Sequence, residues 1–132
     1  MHSAIQADPD LNYVMPMYDA MVQFARPALS LAAAEDRIKI ASFNGTPAIL
    51  DMIEADSPVK MVVGENPAQL GYAAIDHALR LTGVGPIESG DEKVKLRIFD
   101  ESNVSEAGDP PALGVGYGDE WKSGYLKLWG LE

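Results

Sequence analysis

The stretch IKIASFNGTPAILDMI, residues 38–53, decides the fold class. Residues 38–43 form an apolar run typical of a buried strand, and the polar pair Asn44-Gly45 ends that run. Thr46 is a favourable helix N-cap and Pro47 a favourable first helical residue, so an amphipathic helix follows without a spare linker. A strand that passes directly into a helix predicts a β-turn-α unit of an α/β protein.

The same arrangement recurs on both sides of this stretch. Downstream, residues 59–64 predict a strand, and Asn66 can cap a helix over residues 67–82. Upstream, residues 12–17 predict a short strand, followed by an apolar helical pattern that Asp19 can cap. Pro27 lies inside that pattern and is expected to kink or restart the helix.

The last third of the chain predicts a loop, a strand and a helix. Residues 85–92 and 103–111 are typical of loops, and residues 94–99 alternate as a strand does. Three aromatic residues at a spacing of four predict a final helix; they are Trp121, Tyr125 and Trp129. Strands that alternate with helices predict one α/β domain over residues 1–132, a three-layer βαβ sandwich with a mainly parallel sheet.

The composition excludes several classes of function. The chain has 132 residues, no cysteine and a formal net charge of -10, so neither a disulfide framework nor nucleic-acid binding is expected. No apolar run approaches the roughly 20 residues of a membrane span. Residues 1–6 lack the charged and apolar segments of a signal peptide, so none is expected within this chain.

Polar side chains follow each of the first three predicted strands. Tyr18 with Asp19, Asn44, and Glu65 stand just past these strands, and parallel strands end on the same edge of a sheet. Together they could stack on a ring and exchange hydrogen bonds with hydroxyl groups, which predicts a substrate-binding site for a small polyhydroxylated solute. Simpler interpretations stay open: Asn44 as a turn residue, Asp19 as a helix cap, and Tyr18 as a cover for the sheet edge.

Other motifs give no chemistry. Gly114-x-Gly116-x-Gly118 lacks the strand and helix context of a nucleotide loop and is interpreted as a flexible loop. His2 and His77 lie far apart in the sequence, so no metal site is expected. No nucleophile motif is present, and we therefore expect no catalytic residue, no cofactor and no enzyme activity.

Several segments resemble a known family. The segment IKIASFNGTPAILDMIEADSPVKMVVGENPAQLGYAAIDHALRLTG, residues 38–83, resembles the C-terminal part of periplasmic sugar-binding proteins of ABC importers, the ribose-binding type with the type I solute-binding fold. LNYVMPMYDAM, residues 11–21, and GYGDEWKSGYLKLWGL, residues 116–131, are similar to other parts of that family. The likeness covers nearly the whole chain and is specific at residues 43–47 and 67–71.

The resemblance places the sugar contacts at Tyr18, Asn44 and Glu65. The ribose-type pattern has Asn, Asp and Gln there, so ribose itself is not expected, whereas another sugar or polyol is. The implied function is the substrate-binding component of an ABC importer, with membrane permease subunits as partners. The implied location is periplasmic, or extracellular and membrane-anchored. The alternative is the ligand-binding core of a sugar-responsive transcriptional regulator.

The resemblance also implies a division of the chain and a missing partner surface. Residues 1–65 would belong to the C-terminal lobe, residues 66–93 to the other lobe, and residues 94–132 would form the final strand and aromatic tail. We expect a partial lobe, truncated relative to the family, whose exposed apolar surface supports homo-oligomers.

Overall fold

The computed structural model describes residues 1–55, 57–83 and 94–132. It contains five α-helices, four β-strands and two short 3₁₀ helices. The α-helices are α1 His2–Ala7, α2 Val22–Leu31, α3 Pro47–Glu54, α4 Pro67–Leu81 and α5 Glu120–Leu128. The strands are β1 Tyr13–Val14, β2 Lys39–Asn44, β3 Val59–Glu65 and β4 Leu96–Asp100, and the 3₁₀ helices are Asp19–Met21 and Val104–Ala107.

The four strands form one sheet in the order β1-β2-β3-β4. β1 pairs with β2 and β2 with β3 in parallel, whereas β4 lies antiparallel to β3. The predicted α/β class and mainly parallel sheet are confirmed. Because β1, β2 and β3 run in one direction, their carboxyl ends share one edge of the sheet.

Most predicted elements lie within two residues of the observed ones, with two differences near the start. β1 contains only Tyr13 and Val14, since the chain leaves the ladder before Pro16, which has no N–H to donate. The helix after it does not restart at Pro27, because α2 is continuous and residues on both sides of the proline, Ala25 and Leu29, are buried in the core. The loop predicted over residues 85–92 lies outside the described residues.

One hydrophobic core joins the sheet to α1, α2 and α3. Its fully buried members include Leu29 of α2, Ile40 of β2, Leu50 of α3, Val62 of β3 and Phe99 of β4. Burying side chains of this size contributes about 1.5–3 kcal/mol each, so this core fixes the three parallel strands relative to one another.

A separate aromatic cluster joins α4 to α5. Tyr72 of α4 stacks on Trp129, with ring centroids 5.4 Å apart, and meets the edge of Trp121 at 5.0 Å. Trp129 also donates a hydrogen bond from Nε1 to Oδ1 of the buried Asp76 at 2.8 Å. The predicted aromatic helix therefore packs on α4.

Within the described residues, no helix combines the length and the apolar character that crossing a membrane requires.

Candidate functional site

The side chains of Asn44 and Glu65 meet at the carboxyl edge of the parallel strands. Asn44 is the last residue of β2 and Glu65 the last of β3, and Asn44 is paired in register with Gly64. Nδ2 of Asn44 donates a hydrogen bond to Oε1 of Glu65 at 3.0 Å, and both side chains are partly buried. The structure thus brings together two of the four side chains predicted to bind a solute.

Asp19 is buried beneath this edge, with only 2% of its surface exposed. Its Oδ1 accepts from Ser42 Oγ at 2.6 Å, and its Oδ2 accepts from the Thr46 backbone N–H at 2.6 Å and from Thr46 Oγ1 at 2.8 Å. The predicted side-chain cap of α2 by Asp19 is not formed, because the carboxylate bonds to Ser42 and Thr46 instead. Asp19 therefore links the exit of β1 to residues on both sides of Asn44.

Tyr18 lies next to Asp19 in the chain, directly before the 3₁₀ helix Asp19–Met21. Its side chain is 48% exposed, and its hydroxyl makes no hydrogen bond within residues 1–55, 57–83 and 94–132. Its ring is therefore available to solvent at the end of β1. A role for Tyr18 or Asp19 in solute binding stays a prediction.

Tyr117 is a residue of this edge that the sequence interpretation missed. A Cβ added to Gly45 would lie 2.5 Å from the Tyr117 hydroxyl, and one added to Gly64 would collide with it. Its ring packs edge-on against the buried Phe99, with centroids 5.3 Å apart. The hydroxyl is buried and has no hydrogen-bond partner in the part of the chain that the structure describes. Burial, reinforced by the Asp19 and Glu65 carboxylates, raises the pKa of Tyr117 to about 12.

Arg97 of β4 holds the loop that carries Tyr117. Its Nη1 donates to the Gly116 carbonyl oxygen, its Nη2 pairs with Glu106 Oε2 at 2.6 Å, and its guanidinium lies 5.1 Å from the centre of the Phe99 ring. A glycine is required at position 116, where φ is 90° and an added Cβ would lie 3.0 Å from the Glu106 carbonyl oxygen. Residues 114–118 were predicted to be a flexible loop, whereas Tyr117 packs against the strand ends. A tyrosine between two glycines was the signal in the sequence that this loop packs. The glycine spacing alone did not indicate where the tyrosine packs.

Two open cavities adjoin the edge. One of about 480 Å³ is bounded by Asn66, Gly114 and Trp121 among others, and the other, of about 360 Å³, by Asp19, Thr46 and Met52 among others. The linings of these two cavities do not include Tyr18, Asn44 or Glu65. Among the described residues, no group of three His, Cys, Asp or Glu side chains could hold a metal ion.

Solved structures with the same fold include sugar-binding transport proteins. An ABC transporter solute-binding protein from Agrobacterium vitis with bound allitol aligns with a TM-score of 0.68 at 22% identity, over 80% of this chain and 37% of that protein. The 5-methylthioribose transporter solute-binding protein from Thermotoga lettingae, in complex with 5-methylthioribose, aligns with a TM-score of 0.64 at 22% identity, over 96% and 43%. A carbohydrate transporter solute-binding protein from Agrobacterium radiobacter, in complex with D-arabinose, gives 0.65 at 20% identity, over 79% and 35%.

These likenesses establish the fold as part of the type I periplasmic binding fold, as the resemblance implied. This chain spans less than half the length of each of the three solved proteins. No protein-family model and no curated protein sequence matches the chain.

Proposed function

We propose that this chain is the solute-binding part of an ABC-type sugar or polyol importer and not an enzyme. The observation that carries the proposal is the contact between Asn44 and Glu65 at the carboxyl edge of β2 and β3. Ligands of open α/β sheets bind outside the carboxyl ends of the strands, and the similar structures include proteins with bound allitol and D-arabinose.

The chemistry of the pair suits hydroxyl groups. Asn44 donates one Nδ2 hydrogen to Glu65, which leaves its second Nδ2 hydrogen, its Oδ1 and Glu65 Oε2 for a ligand. A polyol hydroxyl can both donate to these oxygens and accept from the amide. The exposed Tyr18 ring would cover the apolar face of the solute, and Asp19 would hold the backbone around Asn44 in place.

The proposed partners and location follow from this role. The solute is a small sugar or polyol, and the protein partners are the membrane permease subunits of an importer. The proposed location is the periplasm, or the outer face of a membrane to which the protein is anchored. No nucleic acid is involved, since the chain carries 20 acidic residues against 10 basic ones.

Calorimetric titration of the chain with allitol, D-arabinose and D-tagatose tests the proposal. We expect at least one of these three solutes to bind, with its affinity lowered about tenfold or more in Asn44→Ala, since a ligand hydrogen bond and the Glu65 orientation are both lost. Glu35→Gln is the matched control, because Glu35 is exposed and lies before β2, at its amino end. If none of the three solutes binds, or if each one that binds has the same affinity for the wild type and for Asn44→Ala, the proposal is wrong.

The alternative function, the ligand-binding core of a sugar-responsive transcriptional regulator, predicts the same sugar titration. It differs in its partner, because a regulator core would act on a DNA-binding domain and not on a permease. The transport proteins among the similar structures favour the importer.

A further inference from the structure

The Tyr117 side chain occupies the space that side chains at two strand exits would fill. Gly45 directly follows Asn44 and Gly64 directly precedes Glu65, and at both glycines the Tyr117 hydroxyl stands where a Cβ would be. The tyrosine therefore contacts the backbone of both strand ends behind the Asn44–Glu65 pair.

The hydroxyl itself has no structural use that the fold accounts for. It is buried and without a partner among the described residues, although the ring is already fixed by Phe99. An unsatisfied buried hydroxyl lowers stability, so phenylalanine would suit a purely structural position better. The Asp19 and Glu65 carboxylates are the acidic groups that act on it electrostatically, and Arg97 opposes them.

We propose that Tyr117 is a positioning residue of the solute site, whose hydroxyl spaces the exits of β2 and β3 and so sets the geometry of Asn44 and Glu65. Its effect on solute affinity rests on the proposed function, whereas its effect on the Asn44–Glu65 pair does not. The loop of residues 113–118, which Arg97 holds through the Gly116 carbonyl oxygen, is thereby coupled to the two strand ends that carry the site.

Two measurements on Tyr117→Phe test this role, with Tyr13→Phe as the matched control. Tyr13 is 48% exposed and lies in β1, away from the pair. Nuclear magnetic resonance of the Asn44 side-chain amide reports the pair directly and needs no ligand. We expect the Asn44 amide signals to shift in Tyr117→Phe and to stay unchanged in Tyr13→Phe. Titration with the polyol that binds the wild type should show affinity lowered about fivefold in Tyr117→Phe.

The melting temperature separates positioning from simple packing. Tyr117→Phe should melt at or above the wild-type temperature while its affinity falls, because the substitution removes an unsatisfied hydroxyl. Unchanged Asn44 signals overturn the proposal, and so does a loss of stability that accompanies the loss of affinity. If no polyol binds the wild type but the Asn44 signals shift, the proposed function fails and the positioning role of Tyr117 stands.

Discussion

Asn44 combines an unusual backbone with a polar contact. Its φ of 118° lies in the region that favours glycine, and Gly45 follows with a φ of 80°. Two consecutive residues of this kind turn the chain sharply out of β2 into α3, and strained backbone of this sort clusters at ligand sites. The turn and the contact with Glu65 are therefore two consequences of the same residue, so the interpretations left open for Asn44 do not exclude each other.

Replacing Asp19 by asparagine should destabilise the fold. All three of its donors, Ser42 Oγ, Thr46 N and Thr46 Oγ1, approach carboxylate oxygens in a buried setting. An asparagine amide would place an NH₂ group against one of them, and we expect a loss of about 2–4 kcal/mol in the free energy of unfolding. Urea denaturation measures it. The control is Asp51→Asn, on the exposed side of α3, which should change the free energy of unfolding by less than about 0.5 kcal/mol. Equal effects of the two variants would contradict the stabilising role given to the Asp19 hydrogen bonds.

Tyr117 should make stability fall in strong alkali. Its folded-state pKa is raised to about 12, whereas a tyrosine in the unfolded chain titrates near 10. Below pH about 10 both states are protonated and the group has no effect; between about 10 and 12 the unfolded chain loses the proton first, so the free energy of unfolding decreases as pH rises. Denaturation across this range should give a shallower decline in Tyr117→Phe than in the wild type. Identical pH profiles would show that the hydroxyl is not protected by burial.

At the scale of elements, α5 is attached to α4 by aromatic contacts and by a hydrogen bond from Trp129 to the buried Asp76. Trp129→Phe removes the donor to Asp76, whose side chain is buried and also pairs with Arg80 Nε at 2.6 Å. We expect the free energy of unfolding to fall by about 1–2 kcal/mol, because Asp76 loses one of its donors in a dry setting. Thermal unfolding followed by circular dichroism measures the loss.

Trp121→Phe is the matched control for this change, since Trp121 packs on the same Tyr72 ring but donates to the Gly118 carbonyl oxygen at an exposed position. It deletes the same number of atoms and leaves Asp76 untouched. If Trp121→Phe destabilises the chain as much as Trp129→Phe, ring packing rather than the hydrogen bond holds α5 in place.

The central elements could be predicted from the sequence because their ends carry explicit local signals. Pro47 and Pro67 begin α3 and α4 as expected, and Asn66 caps α4 through Oδ1, which accepts from the Ala68 and Gln69 N–H groups at 3.0 and 3.3 Å. The continuity of α2 could not be predicted, because burial on both sides of Pro27 is a tertiary effect.

The same limit applies to the candidate site. That Asn44 and Glu65 lie close together could be predicted, because strands that alternate with helices run parallel and parallel strands end at one edge of the sheet. The position of the Tyr117 side chain could not be predicted from the sequence. It depends on how residues 101–119 return across the strand ends, and no local pattern encodes that return. Likewise, the partners of Asp19 lie 23 and 27 residues away in the chain.

At the scale of the whole molecule, exposed apolar side chains and net charge have opposite effects on self-association. Among the described residues β1 is the outer strand of the sheet, and large apolar side chains that follow it in the chain are strongly exposed, among them Met15 at 68%, Met17 at 80% and Phe24 at 72%. An exposed apolar edge favours association with a second copy. The net charge of -10 opposes it through repulsion that salt screens, with a Debye length of about 10 Å at 0.1 M.

The chain should therefore self-associate through the β1 edge, and more strongly as salt is added. Sedimentation velocity at rising protein concentration, compared at about 0.02 M and 0.5 M salt, should show a larger associated fraction at high salt, where repulsion between the acidic copies is screened. Met17→Glu should weaken association by placing a charge on that edge. Leu131→Glu adds the same charge at a comparably exposed position, 69%, near the far terminus and should leave association nearly unchanged. A monomer under every condition, or equal effects of the two variants, would mean that the apolar side chains beside β1 do not form a contact between copies.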